Sequence, residues 1–558
     1  MDNLRIFLWV GLLMLVWLTV QAWQQTFAPK PGASAGTATS TTNGTNNPAG
    51  GGTEPALPSL PGAAPPAVPL PTVSSEPAAV VAAPATLIRV HTDVLDLLID
   101  PHGGNIVAAK LPTYPVHKDQ PGVPVELLTT APERFFALQG GLRAADGQPE
   151  ANHLANFTAT GSEFTLESGA AALQVPLRWE SPTGVVVTKT YTLRPGRFEI
   201  DLEYTVQNNG TQPYQAAEYL QLQRLSTPQK RTMFDVETYS YHGPVAYDGK
   251  KYAKLTPEDL ATAPFKQSVP QGWFAAIQHH FLTAAVPPAA ETWQYAGSFA
   301  DSKFLVSAIG PLQVVPPSGS ARFSSKLFIG PKLQKDLAAT APGLELTVDY
   351  GRLTILAQPM FWLLDKVHGF VHNWGLTIIL VTLLIKLVFY KLSEKSGRSM
   401  AGMRKLQPRM KALQERYKDD RQAMSSALME LYKKEKINPA AGCLPMLVQI
   451  PFFISFYWVL LESVEMRQAP FVLWITDLSS KDPFFVLPLL MGAAMFFQQR
   501  LNPPPPDPVQ AKMMQIMPVV FTGFFAFFLG GRRRDSTATV TRESLQSCRT
   551  KTSSFRCG

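Results

Sequence analysis

Cysteine and charge are both scarce in this 558-residue chain, and each shortage excludes a class of protein. Three cysteines cannot cross-link a chain of this length, so a disulfide scaffold is excluded. Charged residues make up 16% of the sequence, against about 25% in ordinary globular proteins. Aromatic residues reach 10%, which excludes a fully disordered chain. The sequence has no G-x-x-x-x-G-K-[ST] motif, so we expect no nucleotide and no other cofactor.

Charge is almost absent from five apolar runs rich in Phe, Leu, Met and Val, the composition that a bilayer-spanning helix requires. A cleaved signal peptide is the alternative for the first run. No A-x-A-like site follows that run, so we favour an uncleaved anchor. We therefore expect a polytopic α-helical membrane protein. Its predicted spans are residues 5–25, 374–391, 439–461, 483–500 and 513–530.

Two segments of different composition separate the first span from the others. Residues 28–86 are dominated by Pro, Gly, Ala, Ser and Thr, which predicts a disordered linker. Residues 87–340 are rich in short strand patterns, and apolar and polar residues alternate clearly over 184–193 and 198–206. A series of short strands and turns predicts a large extracytoplasmic all-β domain built as a sandwich.

The distribution of positive charge predicts the orientation. Residues 391–438 contain 13 Lys or Arg and 6 Asp or Glu, and they directly follow a predicted span. Basic loops next to spans stay in the cytoplasm. We therefore expect the β domain outside and the N-terminus inside.

The basic segment 392–438 has a helical pattern of its own. Met403, Leu406, Met410, Leu413 and Tyr417 recur at steps of three and four, which predicts a helical hairpin with one apolar seam. Its basic exterior is either a solvated surface that only sets topology or a docking site for acidic partners such as ribosomal RNA.

A shorter apolar face precedes the second span. It predicts an amphipathic helix over 358–373, which either lies in the outer membrane interface or packs as an ordinary helix. Its apolar residues are Met360, Phe361, Leu363, Leu364, Val367, Phe370 and Val371.

Lys386 is the single charged residue of the apolar run 374–390, which makes up the second span up to its last residue. At 1.5 Å per residue, Lys386 lies roughly 18 Å from the outer membrane interface. An unpaired ammonium group at that depth in the bilayer costs about 3 kcal/mol. It either snorkels to the cytoplasmic headgroups or faces a hydrated cavity. Thr382, one turn earlier, shares its face, and Gln449 is a second polar residue in the middle of a span. Three polar residues on two spans favour a wet groove.

Several stretches of the chain resemble the long Gram-negative form of YidC-type membrane protein insertases, in the Oxa/YidC/Alb family. The most specific are Asn373-Trp374-Gly375, residues 403–408, Asn438-Pro439 with residues 442–445, residues 467–471 with 473–475, and Asp477-Leu478-Ser479.

The resemblance implies a β-supersandwich similar to sugar-mutarotase folds and a hydrophilic groove open to the cytoplasm. Lys386 falls where the family usually has Arg, and Thr382 and Gln449 match groove-lining positions. It implies a non-enzymatic insertase and chaperone of the inner membrane, with nascent membrane proteins, lipid, ribosome, targeting factors and the Sec translocon with its auxiliary subunits as partners. Arg404, Lys405, Arg409 and Lys411 of the hairpin are the expected partner-binding residues.

The C-terminal stretch departs from the family pattern. The family has a sixth span, whereas residues 531–558 form a basic tail with no apolar run. We expect a frameshifted or misannotated coding end, and a natural five-span variant is the alternative.

Two other functions compete with insertion. One is a membrane-tethered periplasmic protein that binds or processes carbohydrate. The other is a secondary transporter, which would call for paired intramembrane carboxylates or inverted repeats. We expect no metal site, since His279-His280 has no spaced third ligand.

Overall fold

The computed structural model describes residues 87–226, 240–417, 420–435, 444–479, 482–501 and 508–527. The predicted N-terminal anchor, the linker 28–86, the tail 531–558 and the ends of two predicted spans, 439–443 and 528–530, lie outside the described residues.

Short strands dominate the first part, as the alternation predicts. They are β1 (Ile88–His91), β2 (Asp96–Asp100), β3 (Asn105–Pro115), β4 (Pro124–Leu128), β5 (Phe136–Ala144), β6 (Thr158–Ala159), β7 (Glu163–Thr165), β8 (Leu173–Glu180), β9 (Val185–Leu193), β10 (Glu199–Asn208), β11 (Tyr214–Leu225), β12 (Gly243–Tyr247), β13 (Tyr252–Lys254), β14 (Phe265–Val269), β15 (Trp273–Ile277), β16 (Phe281–Val286), β17 (Trp293–Ala300), β18 (Lys303–Ile309), β19 (Gln313–Val315) and β20 (Ser320–Pro331). The strands predicted over 184–193 and 198–206 are confirmed as β9 and β10.

These strands form two sheets within the described residues. The first has 11 strands along the path β14-β17-β18-β11-β5-β3-β2-β1-β7, with β19 beside β11 and β4 beside β3. The second has nine, in the order β13-β12-β15-β16-β20-β10-β9-β8-β6. In β10 the alternate residues Ile200, Leu202, Tyr204 and Val206 are buried. Since every second side chain of a strand points to the same face, this alternation fills the core shared by both sheets.

A charged residue bridges the two sheets. Lys189 on β9 is fully buried, and its amino group donates to the carbonyl oxygens of Gly103 (3.2 Å) and Gly140 (3.0 Å) and to Asn105 Oδ1 (3.2 Å). Burial lowers the pKa of Lys189 to about 7.

Helices follow the strands. They are α1 (Pro257–Thr262) and α2 (Gln334–Thr340) within the β domain, then α3 (Thr354–Val371), α4 (Trp374–Val388), α5 (Tyr390–Arg416), α6 (Arg421–Lys434), α7 (Leu444–Glu462), α8 (Val486–Leu501) and α9 (Pro508–Phe527). Asn373 and Asp420 cap the N-termini of α4 and α6 with their side chains.

The apolar helices are short or bent. Within the described ranges, no single helix is both long and apolar enough to cross a bilayer. Helices α4 and α5 meet that test together, with a 64° bend between them, and α7 and α9 contain the shorter apolar segments Leu447–Glu462 and Lys512–Ala526.

Helix α3 covers the predicted amphipathic segment. It begins four residues earlier than expected and buries Ala357, Phe361 and Leu364. Phe370, which the helical pattern places on the same face, is 89% exposed. The apolar face of α3 therefore packs inward through its first three turns and is uncovered near its end.

Candidate functional site

Lys386 lies in the last turn of α4, where this helix approaches α7. Its side chain is exposed, and its Nζ lies 5.2 Å from the centre of the Phe453 ring on α7. A cation at this distance is attracted by the face of the ring. Three residues later along the chain, Phe389 packs edge-on against Phe452, with ring centres 5.0 Å apart. The C-terminal end of α4 is thus held against α7 by aromatic contacts.

Gln449 lies one turn before Phe453 on α7, so the two side chains share a helix face. Gln449 is 8% exposed, and its Nε2 has no hydrogen-bond partner among the described residues. A buried amide without a partner costs about 1–3 kcal/mol, whereas a water molecule in the site would satisfy it. The structure thus brings Lys386 close to the face that carries Gln449. Thr382, one turn before Lys386, is half-buried.

The surroundings of this site are strongly apolar. Large hydrophobic side chains are exposed along α4, α7, α8 and α9, and among them are Leu383, Leu387, Ile450, Ile454, Leu489, Phe497, Val519 and Val520. Contiguous apolar surfaces of this kind mark contacts with a membrane or a partner protein.

The basic residues selected from the sequence lie on α5, on a surface separate from Lys386. Arg404, Lys405, Arg409 and Lys411 are all exposed. Arg409 pairs with Glu435, just after α6, at 2.5 Å. Arg404 donates to the carbonyl oxygen of Arg500 at the end of α8 (3.3 Å).

The apolar side of α5 faces α6. Leu406 and Met410 are buried, and the Tyr432 hydroxyl of α6 lies 3.8 Å from the sulfur of Met410. The sequence therefore separates an apolar seam from a basic exterior along a single helix.

A second set of contacts, which sequence reasoning missed, joins the β domain to the loop between α7 and α8. Arg467 donates to the carbonyl oxygens of Pro115 (2.9 Å), the last residue of β3, and of Val116 (3.2 Å), the residue after it. Lys118 donates in return to the carbonyl oxygens of Gln468 (3.1 Å) and Thr476. The sequence feature that could have indicated these contacts is Arg467 itself, the only arginine in a loop whose other charges sum to a negative value.

Next to this junction lies a pocket of about 350 Å³ between the β domain and α7. Lys332, at the end of β20, and Glu462, the last residue of α7, both line it and are both buried. His279 Nε2, on the turn between β15 and β16, lies 3.8 Å from one carboxylate oxygen of Glu462. Burial lowers the pKa of His279 to about 4 and that of Lys332 to about 8.

Two family models match the chain: the YidC periplasmic domain over residues 87–363 and the 60Kd inner membrane protein over residues 366–531. Curated relatives named "Membrane protein insertase YidC" match 95% of the chain. The one from Methylococcus capsulatus is 49% identical over 534 residues, covering 94% of its own length. Those from Thioalkalivibrio sulfidiphilus and Nitrosococcus oceani are 47% and 44% identical, each over 95% of its own length.

Among solved structures, the β domain resembles a galactose mutarotase related enzyme from Lactobacillus acidophilus. The identity is 9%, and the match covers 44% of this chain and 97% of the enzyme. The TM-score of 0.30 is too low to support an argument from this likeness. The comparisons therefore do not favour a carbohydrate-processing function.

Proposed function

The chain belongs to the YidC family of membrane protein insertases, and we propose that it inserts its client proteins through a water-accessible groove between α4 and α7. The observation that carries this proposal is the exposed side chain of Lys386, whose Nζ lies 5.2 Å from the Phe453 ring. The same face of α7 carries Gln449, a buried residue whose Nε2 has no hydrogen-bond partner among the described residues. Each polar group is costly in a dry apolar environment and inexpensive in a wet one.

The orientation follows from charge. The basic hairpin of α5 and α6 lies in the cytoplasm, which puts the outer end of α7 and the β domain in the periplasm. The apolar helices α4, α7, α8 and α9 then form the inner-membrane part, with their exposed Leu, Ile, Val and Phe side chains against lipid. The contacts of Arg467 and Lys118 join the β domain to the loop between α7 and α8 on the periplasmic side. Clients enter from the cytoplasmic side.

The mechanism uses position and charge without covalent chemistry, so we infer that no enzymatic step is involved. A client hairpin must move a polar segment across about 30 Å of hydrocarbon, and a wet groove shortens the dry part of that path. Lys386 attracts acidic residues of that segment. A charge pair 4 Å apart gains about 1 kcal/mol in water and about 4 kcal/mol at an effective dielectric constant of 20.

The apolar client helix then moves into lipid beside α7 and α9. Hydrophobic transfer, worth about 25 cal/mol per Å² of apolar surface, drives this step. Met513 and Met517 are exposed on α9, and flexible methionine side chains suit clients of varied shape. Ribosomes or targeting factors bind the basic face of Arg404, Lys405, Arg409 and Lys411, and the β domain is the surface for auxiliary subunits of the Sec translocon.

Lys386→Ala tests the groove directly. We expect insertion of a client with acidic residues in its translocated segment to fall about tenfold, the equivalent of 1.4 kcal/mol, because the attraction is lost. Insertion of the same client with those residues changed to Ser should change little. Lys386→Arg keeps the charge and should retain most activity.

Lys391→Ala is the matched control, because Lys391 lies five residues further along the same chain segment and is exposed on α5. Both clients should insert normally in this variant. Equal insertion of the acidic and Ser clients by Lys386→Ala, at wild-type level, would remove Lys386 from the mechanism.

A further inference from the structure

We propose that the pocket between Lys332 and Glu462 binds the headgroup of an amine-bearing zwitterionic phospholipid, phosphatidylethanolamine, from the outer leaflet. The inference rests on the proposed membrane orientation, which puts the end of α7 at the periplasmic surface. It assigns a ligand to a pocket that the insertion mechanism does not use.

The first argument is an unused buried charge. Lys332 is 1% exposed, and no carboxylate of the described residues lies within 4.0 Å of its amino group. Lys332 is one of the residues that line the pocket. Glu462 and Asp349 favour the charged form of Lys332 from beyond that distance, and a phosphate group would supply an anionic partner in direct contact.

The second argument is the group across the pocket. Glu462 is 4% exposed, and its Oε2 has no hydrogen-bond partner in the described part of the chain. Lys332 and Glu462 line one cavity without forming a direct ion pair, so the space between them suits a ligand with one charge of each sign. Phosphoethanolamine fits, with its phosphate toward Lys332 and its ammonium toward Glu462.

The third argument is the balance of charge in the wall. Lys254 and Asp349 also line the pocket, and they already form an ion pair with each other. The wall therefore carries equal numbers of cations and carboxylates, which favours a ligand without net charge over a purely anionic one.

The fourth argument is position and size. Trp458 on α7 and Leu353 just before α3 form an apolar edge beside the charged groups, at the end of a helix that lies in the membrane part. Tryptophan is enriched at the level of lipid headgroups. The volume of about 350 Å³ falls within the ~300–1,000 Å³ range of small-ligand pockets.

Native mass spectrometry of the full chain in detergent tests the proposal with lipids of matched acyl chains. We expect phosphatidylethanolamine to bind better than phosphatidylglycerol, which has no amine. Lys332→Met should weaken binding of phosphatidylethanolamine about tenfold, because a charge-assisted hydrogen bond to phosphate is lost. Glu462→Gln should remove the preference for phosphatidylethanolamine over phosphatidylglycerol.

Lys335→Met is the matched control, since Lys335 lies three residues from Lys332, is exposed and pairs with Asp365 at 2.8 Å. It should bind like the wild type. Thermal unfolding of each variant checks folding, and Lys332→Arg, which keeps the cation, replaces Lys332→Met if that variant does not fold. Lys332→Arg should retain the lipid, and loss of binding in this variant would count against a phosphate contact.

Two outcomes would overturn the proposal. One is wild-type retention of phosphatidylethanolamine by both Lys332→Met and Glu462→Gln. The other is binding of soluble phosphoethanolamine with no binding of the lipid, which would identify a free metabolite instead of a headgroup. Because no client protein is used, the result is independent of the Lys386 insertion test, and either can fail without the other.

Discussion

Replacing Lys189 by Met should change the pH dependence of the stability of the β domain in a way that identifies a buried ammonium. Lys189 donates three hydrogen bonds across the two sheets from a fully buried position. Burial lowers the pKa of its amino group from 10.5 to about 7. The unfolded chain therefore binds a proton between pH 7 and 10.5 that the folded chain has lost, so this residue makes the wild type more stable as the pH rises.

The magnitude follows from the shift. Each unit of pKa difference corresponds to 1.36 kcal/mol, so the wild-type free energy of unfolding should rise relative to that of Lys189→Met by roughly 2.5 kcal/mol between pH 7.5 and 9.5. Near pH 7 the variant should be less stable by roughly 2–4 kcal/mol. In the variant, three hydrogen-bond acceptors lose their donor, which lowers the free energy of unfolding. Removing the ammonium group, whose burial is itself costly, offsets part of that loss.

Glu218 reinforces the effect. It is buried near Lys189, and burial raises its pKa to about 8 while Lys189 opposes that shift. Without the lysine, the pKa of Glu218 rises further, which makes the variant lose more stability as the pH increases. The difference in the free energy of unfolding between the wild type and Lys189→Met therefore grows further as the pH rises.

Equilibrium urea unfolding of the full chain in detergent, followed by tryptophan fluorescence, measures this difference. Trp273 and Trp293 are each 1% exposed inside the β domain and report its unfolding. Lys250→Met is the control, because Lys250 is exposed on the same domain. The difference in the free energy of unfolding between the wild type and this variant should not change with pH. A flat difference for Lys189→Met as well would refute the buried-ammonium reasoning.

Two further predictions concern packing and acid stability. Gly375→Ala should destabilise the chain by about 1–3 kcal/mol, because the added methyl group would overlap the ring of Phe471. Gly369→Ala should instead stabilise α3 by about 0.5–1 kcal/mol, because a methyl group at this position would meet open space. Thermal unfolding checks both, and shifts of the same sign would contradict the packing argument. Burial lowers the pKa of His153, which contacts Tyr219, to about 4. As the pH falls below 6.5, His153 therefore binds a proton in the unfolded chain before it does so in the folded chain. Between pH 6.5 and 4, the free energy of unfolding of the wild type should fall by up to about 3 kcal/mol relative to that of His153→Gln. Free energies from urea unfolding that change in parallel for the two chains over this range would contradict the prediction.

The two proposed sites lie at different places along the apolar helices. The proposed groove beside Lys386 lies at the C-terminal end of α4, whereas the Lys332–Glu462 pocket lies at the C-terminal end of α7. A lipid held at the outer pocket would fix the β domain against the membrane part without blocking client entry.

Much of the architecture was accessible from the sequence, because it rests on local periodicity. Alternation predicted β9 and β10, since side chains of a strand point to opposite faces at every residue. The separation of Leu406 and Met410 from Arg404 and Arg409 followed from the 3.6-residue period of a helix. Lys386 stood out because a single charge in an apolar run is costly wherever it lies.

What the tertiary structure decided is which distant residues meet. Lys386 and Phe453, Arg467 and Pro115, and Lys332 and Glu462 are each separated by more than sixty positions of sequence, and no periodicity relates them. The same holds for Lys189, which alternation alone would place as an ordinary inward residue of β9, and whose charge is tolerated only because the other sheet supplies its acceptors. Local patterns determine the elements, because backbone geometry repeats; the contacts between elements depend on how whole faces pack, which is a property of the complete chain.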